Sequence, residues 1–461
     1  MTRDAAHVPH AARAAYPRRA GNSVRPLVDG EPAFRRICES VEAAEHSVWV
    51  TVAFIERDVP MPDGRGSFFD VLDAAAARGL DVRVIFWREP RFAELEPESS
   101  HFGGDAADRA WLAGRRSRFA ARWDRVDGGY CQHQKSWLID AGETTEVTFV
   151  GGINLDESSL APPGYPPRAV DNVRDVYLEL RGPSATDVHH NFVQRWNEAS
   201  EREREDGIWP GTQGNDDLGF PSFASRPAGD VPVQITRTVS PGRYADQTAA
   251  PGQKPFPIAA GEESIFEQYV SAVAAAERTI YLENQALGSP IIVDELQRAL
   301  VRGVHVLCVV PGNAHPAFVA ARRNPRAAPF FEKLAGLGNF ENFTLAAVAA
   351  SRREGHYEEI YVHTKLAIVD DAWATVGSTN VAERSFHRDT ELNASFWHAG
   401  AARSLRDVLF TGLLGRDTSG HDERAAYALF AQVARRNNTR RLMWEPLEGF
   451  VYALDPAQYG A

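Results

Sequence analysis

Two short stretches of the chain share one pattern of reactive side chains. His133-Gln134-Lys135 is followed by Asp140, and His363-Thr364-Lys365 by Asp370, so H-x-K-x-x-x-x-D occurs twice, 230 residues apart. On an extended strand, residues i and i+2 point to one side, which lets each imidazole and its lysine enter the same pocket. An imidazole can attack phosphorus, or give and take a proton near neutral pH. A lysine ammonium neutralises phosphate oxygens. The use of lysine is itself informative. Only four of the 50 basic residues are lysine (Lys135, Lys254, Lys333 and Lys365), and two of those four stand in these motifs.

Each motif leads to a glycine turn that ends in asparagine, a neutral hydrogen-bond donor. The first half has Gly151-Gly152-Ile153-Asn154 and the second has Gly377-Ser378-Thr379-Asn380. Each half then supplies an acidic residue at a strand start, Asp175 in RDVYL (174–178) and Glu391 in RDTEL (388–392). Such a carboxylate can hold an imidazole Nδ1–H, orient the ring and stabilise its charged form, the logic of a catalytic triad. Two of these sets meeting at an interface would surround one phosphoryl group from both sides.

The elements that must carry these residues also repeat. Ala43-Ala44-Glu45-His46-Ser47-Val48-Trp49-Val50 resembles Ala275-Ala276-Glu277-Arg278-Thr279-Ile280-Tyr281-Leu282, and each reads as a helix end followed by a buried strand. Arg78-Gly79-Leu80-Asp81-Val82-Arg83-Val84 resembles Arg302-Gly303-Val304-His305-Val306-Leu307-Cys308, a helix closed by glycine and then another strand. Strand, helix, strand in each half predicts parallel pairing with crossover helices. The expected division is a first lobe over 1–205, a linker over 206–260 and a second lobe over 261–461. The linker is rich in Gly, Pro and Asp, with one short strand expected at Val231 to Arg237.

The chain has 461 residues, of which 44% are hydrophobic and 24% charged, enough for two or three domains with substantial cores. No run approaches 18 uninterrupted apolar residues, so a membrane-spanning helix is not expected. A formal net charge of −12 argues against extended nucleic-acid binding, which rests on basic surface. Three scattered cysteines, Cys38, Cys131 and Cys308, predict neither a disulfide framework nor a zinc site. No secretory signal is visible over Met1 to Ser23, which points to a cytoplasmic protein, or a secreted one if a leader has been trimmed.

On the duplicated motif the chain resembles the phospholipase D superfamily, whose hallmark is H-x-K-x4-D-x6-G-[GS]-x-N. The likeness covers about residues 22 to 200 and 260 to 400, and includes IYLENQ (280–285), IYVHTKLAIVDDAWATVGSTNVAERS (360–385) and RGPSATDVHHNFVQRWN (181–197). The resemblance implies an α/β fold: two α/β/α sandwich lobes related by a pseudo-twofold axis, forming one bilobal unit. It implies a covalent phosphohistidine, with His133 as nucleophile and His363 as acid and base, the near-symmetry of the two sets leaving the exchanged assignment as the alternative. Lys135, Lys365, Asn154, Asn380, Ser378 and Gly152 would hold the phosphate. Asp175 would orient His133, and Glu391 would orient His363. Asp140 and Asp370 would hold the backbone of the site. No metal or other cofactor is expected. The expected substrate is a glycerophospholipid at a membrane surface, hydrolysed to phosphatidic acid, with water or an alcohol as acceptor. The alternatives are a phosphatidyl transferase of the cardiolipin-synthase kind, or a nuclease or other non-lipid phosphodiesterase. One chain carries both motifs, so a monomer is expected.

Two departures from the family pattern stand out. The first motif holds four extra residues within AGETTEV (141–147), which a hairpin turn would absorb, and Gly152 lacks the hydroxyl of Ser378. Several other residues read plainly. His189-His190 reads as surface, Glu201 to Asp206 as a solvated helix end, Cys131 as core packing, and Arg322, Arg323 and Arg326 as a solvated basic segment. Trp49, Phe54, Trp87 and Trp123 read mostly as core. Glu283, Asn284 and Gln285 read as either pocket rim or internal hydrogen bonding.

Overall fold

The computed structural model describes residues 7–89, 101–126, 128–202, 208–209 and 216–461. Each half contains seven strands paired in the same order. In the first lobe the order is Arg19–Val28, Val176–Arg181, Val147–Gly151, Ser136–Ile139, Ser47–Val52, Asp81–Trp87 and Ala120–Asp124. In the second it is Val231–Val239, Glu391–Trp397, Trp373–Gly377, Lys365–Val369, Thr279–Asn284, His305–Val309 and Phe343–Ser351. The last three strands of each series run parallel and the others antiparallel.

The parallel strands are apolar because helices cover both faces of the sheet. Ser47–Val52 reads SVWVTV and is buried at all six positions. On one face of the first lobe lie Gly30–Ala43 and Phe68–Ala77, the latter opened by a capping box between Ser67 and Asp70. The other face carries Ala185–Asn197. Ala399–Leu414 and Glu423–Leu442 do the same for the second lobe, and with Ala185–Asn197 they join a shared core containing Leu138, Leu178, Ile235, Leu366, Phe410 and Phe430. Among the described residues no helix is long and apolar enough to cross a membrane.

The two sheets join where Arg19–Val28 pairs antiparallel with Val231–Val239, through Arg19↔Val233 and Asn22↔Val231. The tract expected to be a linker therefore supplies a nine-residue strand at the seam of the molecule. Residues of that tract over 216–260 pack over Ala185–Asn197, which is buried at all 13 positions. This corrects the surface reading of His189-His190. The His190 Nε2 donates to the Thr248 carbonyl at 2.9 Å, and its Nδ1 accepts from the Tyr16 hydroxyl at 3.1 Å. The His189 ring lies edge-on to Trp49. Glu201 is likewise buried, accepting from Arg109 at 2.6 Å, while residues 203–207 lie outside the described residues.

Candidate active site

Each motif aspartate ties the site to its sheet. Asp140 has φ 53° and accepts backbone N–H bonds from Glu45, His46 and Ser47 at 2.7–3.1 Å. Asp370 has φ 57° and does the same for Glu277, Arg278 and Thr279 at 2.7–2.8 Å. The end of each motif strand is thereby locked to the start of its neighbour, and the histidine at the opposite end of the strand inherits that register. The insertion in AGETTEV forms a turn between Ser136–Ile139 and Val147–Gly151, and Thr145 donates to Asp140 at 2.7 Å.

At the histidine ends the lobes exchange backbone. His133 N donates to the Thr390 carbonyl and His363 N to the Arg174 carbonyl, each at 2.9 Å. Val173–Arg174 pairs parallel with Tyr357–Val362, and Gln132 bridges Thr390 in parallel as its counterpart. Each imidazole therefore stands beside the acidic residue of the other lobe. His133 Nδ1 is 3.0 Å from both carboxylate oxygens of Glu391, and His363 Nδ1 is 2.6 Å from Asp175 Oδ2. The expected partners are thus exchanged: Glu391 holds His133, and Asp175 holds His363. The cause is topological. The residue before each acid forms its ladder with the segment that leads into the opposite motif.

The lysines meet different surroundings. Both Nζ atoms donate to the carbonyl of their own motif histidine, Lys135 at 3.0 Å. Lys365 also donates to Gln285 Oε1 at 3.2 Å, and Gln285 Nε2 donates to the Tyr361 hydroxyl at 3.0 Å. Lys135 instead lies over the Phe54 ring, 5.6 Å from its centroid, and that ring is edge-on to His133 at 5.9 Å. The stem of Lys365 crosses into the first lobe. A Cβ on Gly152 would fall 2.9 Å from Lys365 Cδ and 2.7 Å from Asp175 Oδ1. Only a glycine leaves room there, so Gly152 contributes space.

Ser378 occupies the equivalent turn, fully buried, and its hydroxyl donates to Glu391 Oε2 at 2.5 Å. Its hydroxyl is spent on bracing that carboxylate, where the sequence reading gave it to phosphate. Asn154 and Asn380 end the two turns, and each has a buried amide oxygen without a hydrogen-bond partner in the structure. An amide oxygen only accepts, so it is the Nδ2 of each side chain that can donate to a phosphoryl oxygen. Glu283 and Asn284 are internal. Glu283 accepts from Arg174 at 2.6 Å, Tyr281 at 2.6 Å and Thr364 at 2.8 Å, while Asn284 accepts from the Val381 N–H at 3.0 Å.

His133 and His363 are 6% and 7% exposed, so charge here is expensive. Burial and then the two ammonium groups hold both imidazoles well below the usual histidine range, and His133 is among the charges that depress His363. Burial pushes Asp175 and Glu391 up to about 7 against the pull of the lysines, and brings Lys365 down to about 7. Each imidazole Nδ1 therefore shares a hydrogen-bonding proton with a carboxylate whose own proton affinity burial has raised. With that proton on Nδ1, the Nε2 lone pair is free to attack. A phosphodiester anion entering between the ammonium groups would offset their charge and favour an imidazolium, which is what a proton donor requires.

Comparisons with known proteins agree with this geometry. The family described as "Cardiolipin synthase, PLD-like domain" matches residues 269–409. A cardiolipin synthase of Listeria welshimeri is 21% identical over 403 residues, covering 85% of this chain and 69% of its own. Phospholipase D A of Dictyostelium discoideum is 24% identical over 477 residues, covering 87% of this chain and 34% of its own. The crystal structure of phosphatidylserine synthase from Haemophilus influenzae aligns with a TM-score of 0.55 at 12% identity, over 94% of this chain and 88% of that one. The chain belongs to the phospholipase D superfamily. It is an enzyme of that superfamily, with the paired α/β lobes expected of the fold.

Sequence reasoning missed some members of this phospholipase D-like site. Tyr361 lies two residues before His363, near the end of strand Tyr357–Val362, a spacing that could have flagged it. Phe54 follows a buried strand and was read with the core aromatics. Arg174, which carries its carbonyl to His363 and its guanidinium to Glu283, gave no signal of its own.

Proposed function

We propose that the protein is a phosphatidyl transferase that draws a glycerophospholipid from a membrane surface and passes its phosphatidyl group to a hydroxyl acceptor. Phospholipid hydrolysis, the first reading of the sequence, becomes the competing outcome when water takes the acceptor's place. The observation that carries the proposal is the reciprocal bracing of two imidazole–lysine pairs across one seam. The preference for transfer is supported by relatives named cardiolipin synthases that align over most of the chain.

In the proposed course, Nε2 of His133 attacks phosphorus and the bond to the leaving alcohol breaks. His363 gives that alcohol a proton. The acceptor hydroxyl then gives its proton to His363 and attacks phosphorus, and the phosphorus–nitrogen bond breaks to restore His133. Lys135, Lys365, Asn154 and Asn380 bind the phosphoryl oxygens, and Glu391 and Asp175 keep the rings in register. The test offers phosphatidylglycerol vesicles, and separately phosphatidylcholine with ethanol. Cardiolipin in the first and phosphatidylethanol in the second are the expected products. Phosphatidic acid alone in both would overturn transfer and leave hydrolysis. No lipid product, with cleavage of single-stranded DNA, would overturn the lipid reading.

A further inference from the structure

Seven large apolar side chains are exposed among the described residues, and three of them are consecutive: Leu442 at 78%, Met443 at 63% and Trp444 at 72%. The others, Phe223, Ile291, Val301 and Val408, are separate in sequence. The trio closes helix Glu423–Leu442 in a Schellman turn: Glu445 N donates to Arg440 O at 2.9 Å and Trp444 N to Arg441 O at 3.2 Å. This places Trp444 at the left-handed position of the turn, with φ 60°. Glycine is the natural occupant there, because an L side chain is strained. The indole makes no hydrogen bond or ring contact among the described residues, so nothing inside the fold repays that conformation.

The turn is held firmly in this outward pose. Tyr357 Oη donates to the Glu445 carbonyl at 2.6 Å, and Leu447 N donates to Ser351 Oγ at 2.8 Å. Gly355 lies so close that a Cβ would meet Trp444 Cβ at 2.9 Å, which brings the Arg353–Gly355 turn against the tip. Most of the charge around the tip is paired, and the surplus among the described side chains is basic. Arg441 is paired with Glu359, Arg436 with Glu448 and Arg352 with Glu358. Among the described residues Arg353 and Arg440 have no carboxylate partner, and Glu445 is the exposed acid beside them. A second copy in a twofold contact would offer its own Leu442, Met443 and Trp444, but would bring the like-charged arginines of the two tips together. A bilayer of anionic headgroups over hydrocarbon fits both features at once.

We infer that Leu442, Met443 and Trp444, flanked by Arg353 and Arg440, form a docking tip for an anionic phospholipid bilayer. The inference extends the lipid reading of the active site. The tip anchors the far end of strand Tyr357–Val362, about 20 Å along the chain from His363 at the ordinary strand rise. It therefore binds membrane through residues that take no part in the chemistry.

The test is co-sedimentation of the full chain with vesicles of phosphatidylcholine alone, or of phosphatidylcholine with an equal part of phosphatidylglycerol, at low and high salt. The wild-type protein is expected to bind the mixed vesicles and to release with salt. Trp444→Gly is expected to weaken that binding at least about tenfold while leaving the melting temperature equal or higher, because glycine relieves the strained turn. Arg353→Ser and Arg440→Ser are each expected to cost about fivefold, on the mixed vesicles only. Turnover of a short-chain phospholipid dissolved as monomers is expected to be unchanged in all three variants, so loss of docking is distinguishable from loss of the proposed activity. Undiminished vesicle binding by a Leu442→Ser, Met443→Ser, Trp444→Gly triple variant would overturn the inference. So would a wild-type protein that forms a dimer covering Trp444 and ignores both kinds of vesicle, or a lowered melting temperature in Trp444→Gly.

Discussion

The two half-sites share a backbone and differ in what surrounds it. In one, Lys135 rests on the Phe54 ring, His133 faces both oxygens of a glutamate, and a serine hydroxyl braces that glutamate. In the other, Lys365 is hydrogen-bonded by Gln285, and His363 makes a single 2.6 Å bond to an aspartate. A glycine there leaves the stem of Lys365 free to pass. A duplicated frame thus sets two chemically similar centres in apolar and polar surroundings. Such surroundings allow one imidazole to work as a nucleophile and the other as a proton carrier.

The largest expected effect tests whether both halves are needed. His133→Ala and His363→Ala should each lower turnover by about 10⁴-fold or more, with unchanged circular dichroism. Full activity in either variant would break the comparison. Acid-quench trapping of labelled phosphohistidine, followed by peptide mapping, would sharpen it by showing which ring attacks, with His133 expected.

The exchange of carboxylates comes next. Glu391→Gln and Asp175→Asn should each cost about 10²- to 10⁴-fold in kcat. Imidazole resonances should show that Glu391→Gln perturbs the titration of His133 and leaves that of His363 nearly unmoved, with the converse for Asp175→Asn. Perturbation within one lobe would contradict the pairing.

A smaller effect concerns charge. Lys365 is brought down to about 7 by burial, so it carries its charge below that pH and loses it above. Attraction for a phosphodiester anion should therefore weaken as pH rises through about 7, giving kcat/KM a falling alkaline limb. Lys365→Arg, which stays charged, should flatten that limb while lowering the maximum, because a planar guanidinium does not copy an ammonium. A limb unmoved in the variant would assign it elsewhere.

The smallest expected effects come from the turns and the aromatic ring. Gly152→Ala should destabilise the fold by about 1–3 kcal/mol, read by denaturant unfolding. The mirror change Ser378→Gly should cost about 2–3 kcal/mol, one hydrogen bond to a charged group together with added chain freedom. Phe54→Leu should weaken substrate binding by about 1 kcal/mol.

The reactive parts of the site were legible in the sequence because they are local. H-x-K spacing, a rare use of lysine and a doubled strand pattern need only neighbours in the chain. The exchanged carboxylates were not legible, because RDVYL and RDTEL lie in the same half as the motifs they seem to serve. Only the ladders from Val173–Arg174 and Thr390 to the opposite segments reveal the swap. Those two stretches also mislead by their likeness, since Asp175 corresponds in space to Glu391 and not to Asp389. His189-His190 failed for another reason. Beside the apolar stripe of Val188, Phe192 and Trp196 the polar side chains of this helix read as solvated, but the tract over 216–260 supplies backbone carbonyls, among them Thr248, Asp246 and Leu218, that satisfy them in the interior. The seam strand Val231–Val239 was foreseen in place but not in weight, because a Pro/Gly-rich setting hides how many neighbours it joins.

The reciprocal bracing of the two rings bears on ancestry. If two identical subunits met about a twofold axis, each would lend its acid to its neighbour's imidazole, and a gene fusion would carry that loan into a single polypeptide. Either half expressed alone would hold an unsupported ring, while the halves mixed together would have reason to find one another again.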